Sequence, residues 1–193
     1  MSVVDLHEWM LADLASVRSK LFDTVIALVP RDQWRDQADG GGATLNGLLL
    51  HLARHQDLAV NAVIRDHEPL FLDHREALGL GDATVHVGIA EGEDREATRH
   101  VHADALVDYV AAVFDRTETW LNALGTLVLD NVPHTDHRLT HRALLQQHDL
   151  PWLYRMWADK PIWWLVQWPV IGHGHAHVGE AIALRNRLGY SPF

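Results

Sequence analysis

Apolar residues recur every three or four positions along four long segments of the chain, a spacing typical of helices with one buried face. The first segment spans residues 6–28 and stops at Pro30, which cannot continue a helix. The second follows Thr44, a residue type that often caps helix N-termini, and ends near Asp66. Both segments are therefore predicted to be long helices.

The remaining two periodic segments lie in the second half of the chain. One covers residues 103–124, and the other covers residues 166–188 and is followed by Gly189, a common helix stop. Pro169 lies inside the last segment, so we expect this helix to restart or kink near Trp168.

Two stretches lack sustained periodicity. Residues 67–100 predict a long crossover with one short helix, and the acidic run 91–96 within it is expected to face solvent. Residues 125–160 predict an irregular stretch with a short helix around Arg142–His148. Since no segment shows β-alternation, the pattern predicts an all-α protein, a four-helix bundle with a long crossover connection in a single domain over 1–193.

Composition narrows the choice of partners. The 193 residues carry a formal net charge of −10, with 26 acidic against 16 basic side chains, which argues against nucleic acid or an anionic membrane as partner. There is no cysteine, so a metal would need nitrogen or oxygen ligands and any thiol would come from another molecule. Without a signal peptide or an apolar run of the ~20 residues that span a bilayer, we expect a cytoplasmic protein that acts on a small-molecule substrate.

Two histidines occupy the apolar stripe of the last predicted helix. His173 and His177 are only about 40° apart around a helix, so both rings can reach one point. A buried imidazole is costly unless its nitrogens find partners, and a divalent metal would use both rings at once. The alternative is a pair of core histidines bonded to carbonyl groups. His175, about 200° from His173, is expected to face elsewhere.

A third ligand must come from another helix. His51 is the best candidate because it borders the apolar face of the second helix. His55, one turn later, can join it or line the cavity, although a partly exposed polar residue is the favoured interpretation. Glu180 shares a face with His173 and is predicted to orient a ligand or act as a catalytic base; the alternative is a buried hydrogen-bond partner without chemistry.

The ligand set indicates the kind of metal. Three imidazoles with open coordination positions are typical of a catalytic site. They suit Zn²⁺, Ni²⁺ and Fe²⁺ about equally, with zinc as the leading choice.

Other clusters of the same residue types have simpler explanations. His134, His137 and His141 could form a ligand set, but they are predicted to lie in a loop led by a proline, beside Asp136 and Arg138, and are expected at the surface. Most tryptophans just before the His173 helix are expected to pack in the core, while Trp164 or Trp168 lines the cavity as a cofactor-binding residue. The five tryptophans concerned are Trp152, Trp157, Trp163, Trp164 and Trp168.

These motifs together resemble the DinB-like superfamily. Leu-Leu-His51-Leu-Ala comes first, then His173-x-x-x-His177-x-Gly179-Glu180, and an Arg-x-Leu-Gly189 closes the segment. The resemblance spans nearly the whole chain and extends to bacillithiol transferases and, more distantly, to mycothiol-dependent maleylpyruvate isomerase. Many relatives have glutamine at the position of Glu180.

The resemblance implies a fold, a site and an activity. The fold would be a four-helix bundle with an up-down-down-up course, often a homodimer. The metal ligands would be His51, His173 and His177. The metal would activate a low-molecular-weight thiol, mycothiol-like in this chain, or a water against an electrophile, as a transferase, isomerase or hydrolase does. The alternative is a non-catalytic, stress-related dimer that binds metal.

Overall fold

The computed structural model describes residues 5–81, 85–90, 95–125 and 128–193. Within these ranges every regular element is a helix, which confirms the all-α prediction. Most of the acidic run, residues 91–94, lies outside the described residues. None of the described helices is both long enough and apolar enough to cross a membrane.

Long helices alternate with groups of short ones. Wide π-helical turns extend α1 over Phe22–Ile26 and α2 over Leu58–Ile64, and a third, Val166–Gly172, joins α8 to α9. In chain order the α-helices are α1 Leu6–Leu21, α2 Leu45–Asp57, α3 Phe71–His74, α4 Arg95–Arg99, α5 Ala103–Asn122, α6 Thr135–His141, α7 Pro151–Trp157, α8 Ile162–Leu165 and α9 His173–Arg187.

The predicted starts and stops of the long helices are confirmed where the structure describes them. The Thr44 hydroxyl accepts a hydrogen bond from the Gly47 amide at 3.1 Å, so Thr44 caps α2. The segment after α9 turns at Gly189, whose φ of 90° lies in the left-handed region that glycine tolerates best. The predicted restart near Trp168 is the π-helical turn around Pro169, which lacks the amide hydrogen that a regular helix needs.

The short helices were predicted less well. Residues 67–100 were predicted as a crossover, and we use this word below as the name of the segment. It contains two described short helices, α3 and α4, where one was expected. The helix expected at Arg142–His148 is wrong: helices lie on either side of it, as α6 and α7. Leu144 has a φ of 58°, which breaks helical geometry, and Pro151 starts α7 in the first turn, where proline is tolerated.

The long helices pack on one another in pairs that define the centre of the molecule. Helices α1 and α2 both contact α5, and both also contact α9. Gly174 allows the close approach of α9 to α1, because a Cβ there would lie 3.0 Å from Val17 Cγ1. The α2–α9 contact is the one that matters for the histidines, since it brings residues from distant parts of the sequence together.

Candidate metal centre

Helices α2 and α9 supply the three histidines that the sequence singled out. His51 projects from the middle of α2, and His173 and His177 occupy the first two turns of α9. His51 and His177 are only 7% and 4% exposed. Helix α9 starts at His173 directly after the π-helical turn, and this start places His173 beside His51 on α2.

The ring nitrogens of these residues converge on one point. His173 Nε2 lies 3.1 Å from His51 Nε2 and 3.0 Å from His177 Nε2. One ligand atom from each of the three residues lies within 4.8 Å of the others. We refer to His51, His173 and His177 as the histidine triad.

The outer nitrogens of two triad residues have acceptors that fix the tautomer. His51 Nδ1 lies 3.0 Å from the Gly88 carbonyl, and a carbonyl can only accept, so this nitrogen carries the proton. His177 Nδ1 donates in the same way to Glu180 Oε2 at 2.9 Å. In the neutral form of each ring, the lone pair of Nε2 then faces His173.

Burial disfavours the charged form of two triad residues, His51 and His173. It lowers the pKa of His51 to about 4, with a further contribution from the nearby His177. Burial also lowers the pKa of His173, whose neighbours His55, His177 and His51 act in the same direction. Because metal ligation requires a deprotonated imidazole nitrogen, little proton competition is expected at neutral pH.

The arrangement fits a divalent metal ion. Zn–N bonds of about 2.0–2.1 Å place the ligand nitrogens of a tetrahedral ion roughly 3.3 Å apart, close to the separations in the triad. Lone pairs that face one another at such distances repel unless a cation or a shared proton lies between them. The three histidines can therefore hold a metal, and nitrogen ligands alone do not select its identity.

Glu180 lies on the expected face of α9 but is not a buried partner. Its side chain is 56% exposed while its carboxylate accepts the hydrogen bond from His177. One oxygen can therefore orient a triad residue while the carboxylate remains open to solvent and to the adjacent cavity.

His55 corrects one expectation of the sequence analysis. It is 5% exposed rather than partly exposed, because the crossover covers α2 at this point and the Ile89 carbonyl accepts a hydrogen bond from His55 Nε2 at 2.8 Å. Burial, with His51 nearby, lowers the pKa of His55 to about 3. Its ring lies 4.4 Å from that of His173 between centroids, but His55 is not part of the described ligand cluster.

Two cavities meet at the triad. One, of about 490 Å³, reaches His51, His177 and Glu180 and is bordered by Arg99 and Arg187. We call it the polar cavity. The other, of about 370 Å³, reaches His51 and His173 and is bordered by three tryptophans. We call it the tryptophan cavity; its described lining residues are His51, His55, Ile89, Ala90, Trp152, Met156, Trp157, Trp168, Pro169 and His173.

The structure shows which tryptophans line a cavity, a distinction that the sequence did not make. Trp168 lines the tryptophan cavity, whereas Trp164 lines neither cavity and instead has the Lys160 ammonium 5.3 Å from its ring centroid. Trp152 and Trp157 were expected only to pack, but both border the cavity, and Trp157 is also fully buried. Sequence spacing gave no signal for them, because α7 reaches the site only through tertiary packing.

The other histidines named in the sequence analysis lie apart from the triad. His175 faces away from the triad and pairs with Asp13 on α1 at 2.9 Å. His134, His137 and His141 are exposed as expected, but the predicted loop is wrong, because they lie on or beside helix α6.

Comparisons with known proteins give a fold but no activity. Neither a protein family nor a curated protein matches this chain. A crystal structure described as the conserved protein of locus from Enterococcus faecalis is similar, with a TM-score of 0.68 and 19% sequence identity over 97% of this chain and 99% of that chain. The similarity extends over nearly the full length and, at this identity, concerns the fold alone.

Proposed function

We propose that the protein is a DinB-like, metal-dependent enzyme that activates a low-molecular-weight thiol, mycothiol-like, or a water toward a small electrophilic substrate. The convergence of the three Nε2 atoms carries this proposal, because two of the rings are held in the tautomer that directs a lone pair inward. A divalent metal in such a site lowers the pKa of a coordinated thiol or water and so supplies a nucleophile at neutral pH.

The proposed fold is a four-helix bundle with an up-down-down-up course. The mutual packing of α1, α2, α5 and α9 supports it, as does the long crossover between α2 and α5. The homodimer, the cytoplasmic location and the small-molecule substrate stay predictions of the sequence.

The residues of the chain have separate tasks in this proposal. The histidine triad holds the metal, zinc as first choice and nickel or iron(II) otherwise. Glu180 fixes the proton of His177 on Nδ1, and its exposed oxygen can take a proton from an incoming nucleophile in the polar cavity. His55 has its Nε2–H bonded to the Ile89 carbonyl, so it positions the neighbouring rings and borders the tryptophan cavity.

The second candidate function is a non-catalytic metal-binding protein. The two cavities favour the enzyme, since a structural metal site has no need of access from two sides. Stripping and restoring the metal distinguishes the two, because only the enzyme would lose and regain a rate of thiol conjugation or hydrolysis.

Elemental analysis of protein loaded with Zn²⁺ tests the metal site. We expect about one ion per chain in the native protein and little or none after His173→Ala, with the helical circular dichroism retained. His175→Ala is the matched control, because this residue lies two positions away on the same helix and pairs with Asp13 instead. Full metal retention by His173→Ala would overturn the proposed site.

A further inference from the structure

The walls of the tryptophan cavity are built from aromatic rings at defined angles. Trp152 lies nearly parallel to His55, with 25° between the planes and 6.1 Å between the ring centroids. Trp157 meets His55 edge-on at 5.9 Å, and Trp168 meets His173 edge-on at 6.4 Å. Flat surfaces in these orientations offer both stacking and edge-to-face contacts to a planar molecule.

The cavity is open to solvent and also reaches the triad. Trp168 and Met156 at its border are each 40% exposed, an unusual exposure for large apolar side chains. At the inner end His51 and His173 form part of the wall. A molecule in the cavity would therefore lie against the residues proposed to hold the metal.

Charge is absent from the described lining of this cavity. Its residues include no aspartate, glutamate, lysine or arginine, although the chain as a whole carries 42 such side chains, 26 acidic and 16 basic. The polar cavity on the other side of the triad differs, since Arg99, Arg187 and Glu180 border it. In the metal-free protein a charged ligand would lose hydration in the tryptophan cavity without a partner of opposite charge among the described lining residues.

We propose that the tryptophan cavity binds a flat, uncharged aromatic molecule of one or two rings, the substrate class of the adjacent metal centre. The volume of about 370 Å³ falls in the range of small-molecule sites. That the bound molecule is a substrate rests on the proposed function, whereas the binding itself depends only on the cavity.

Isothermal titration calorimetry with 2-naphthol tests the proposal on Zn²⁺-loaded protein. We expect 2-naphthol to bind, and decahydro-2-naphthol, its saturated counterpart, to bind about tenfold more weakly because it is not flat and has no π-system. In metal-free protein, where no cation at the triad offsets its charge, 2-naphthoate should also bind more weakly. Equal affinity for the flat and saturated alcohols would overturn the proposal, as would preference of the metal-free protein for the anion.

Matched variants locate the binding. Trp152→Ala and Trp168→Ala should each raise the Kd of 2-naphthol about tenfold, since each removes one aromatic wall. Trp163→Ala is the control: this tryptophan is 44% exposed on α8 and lines neither cavity, so its Kd should stay within about twofold of the native value. Unchanged affinity in both cavity variants overturns the assignment. So does a shift in self-association in place of ligand binding, which would make a second copy of the chain the occupant.

A separate readout distinguishes this inference from the proposed function. Co²⁺-loaded protein should broaden the proton resonances of bound 2-naphthol more than Zn²⁺-loaded protein, because His51 and His173 line the cavity. Fully metal-loaded protein that fails to bind 2-naphthol overturns the inference alone. Protein that takes up no metal overturns the proposed function, and elemental analysis detects this outcome independently of the aromatic probe.

Discussion

Glu180 accepts a hydrogen bond from His177, and this bond decides which ring nitrogen of His177 can bind a metal. With the proton held on Nδ1 by the carboxylate, Nε2 is left to face His173. We expect Glu180→Ala to weaken metal binding by about 10–100-fold. Glu180→Gln should lose less, because its amide oxygen can accept the same hydrogen bond. Competition with a chromophoric chelator measures both, and native affinity in Glu180→Ala would contradict the role.

The buried histidines also predict how the metal-free protein responds to pH. The pKa of His51 is lowered to about 4 and that of His55 to about 3, so between these values and the usual 6.5 the unfolded chain binds protons that the folded chain does not. The free energy of unfolding should therefore fall as the pH drops below about 6.5, by up to ~1.4 kcal/mol per pH unit for each histidine.

Urea unfolding across a pH series measures this dependence. His55→Gln is the informative variant, because its side-chain amide can still donate to the Ile89 carbonyl but does not titrate. Its unfolding free energy should depend less steeply on pH than that of the native protein. The same slope in both proteins would mean that His55 is not responsible.

Sequence spacing named the three triad residues as candidate ligands but did not describe their surroundings. His173 and His177 are one helical turn apart, and His51 borders an apolar stripe, so local periodicity selects all three. His55 has the same local signal as an exposed residue; it is buried because the crossover returns over α2 and places Ile89 against it. Burial by a segment that is distant in sequence does not change the spacing of apolar residues in α2, so the sequence pattern did not reveal it.

At the scale of elements, the position of α9 against α1 depends on one glycine. A Cβ at Gly174 would lie 3.0 Å from Val17 Cγ1, so overpacking should offset the gain in helix propensity, and we expect Gly174→Ala to be less stable than Gly179→Ala by about 1–3 kcal/mol. Gly179→Ala is the control on the same helix. A Cβ there meets nothing within 4 Å, and the change should stabilise by about 0.5–1 kcal/mol through helix propensity. Chemical unfolding compares the two variants, and a similar effect of both would exclude the close contact as the cause.

The long helices were predicted because each combines sustained periodicity with a recognisable end, such as Thr44 or Gly189. The short elements lack both signals. Arg142–His148 has helix-forming residues, but Leu144 adopts a left-handed conformation that single-residue propensity does not favour. From the sequence, the π-helical turn around Pro169 was predicted only as a restart or kink of the helix. The turn ends where α9 starts, and it therefore sets the position of His173.

At the scale of the whole molecule, the crossover is tied to α2 by a buried arginine. Arg54 is 1% exposed, and its guanidinium donates to the Val87 carbonyl at 3.2 Å and to the Val85 carbonyl. Its Cζ atom lies 3.6 Å from the centroid of the Phe71 ring. The next residues of the same segment supply the Gly88 and Ile89 carbonyls that bind His51 and His55. Arg54 therefore connects the packing of the crossover to the orientation of the histidines.

This connection predicts an effect of Arg54 on a metal that it does not touch. In Arg54→Met the Gly88 carbonyl should lose its fixed position, so that metal affinity falls about tenfold, the size expected for the loss of outer support to a ligand. Arg116→Met, an exposed change on α5, should leave the affinity unchanged.

By mass action, bound metal should in turn stabilise residues 85–90 and slow hydrogen exchange of the Ile89 amide, which donates to the His86 carbonyl at 3.2 Å. If metal leaves this exchange rate unaltered in the native protein, the crossover and the triad are not coupled.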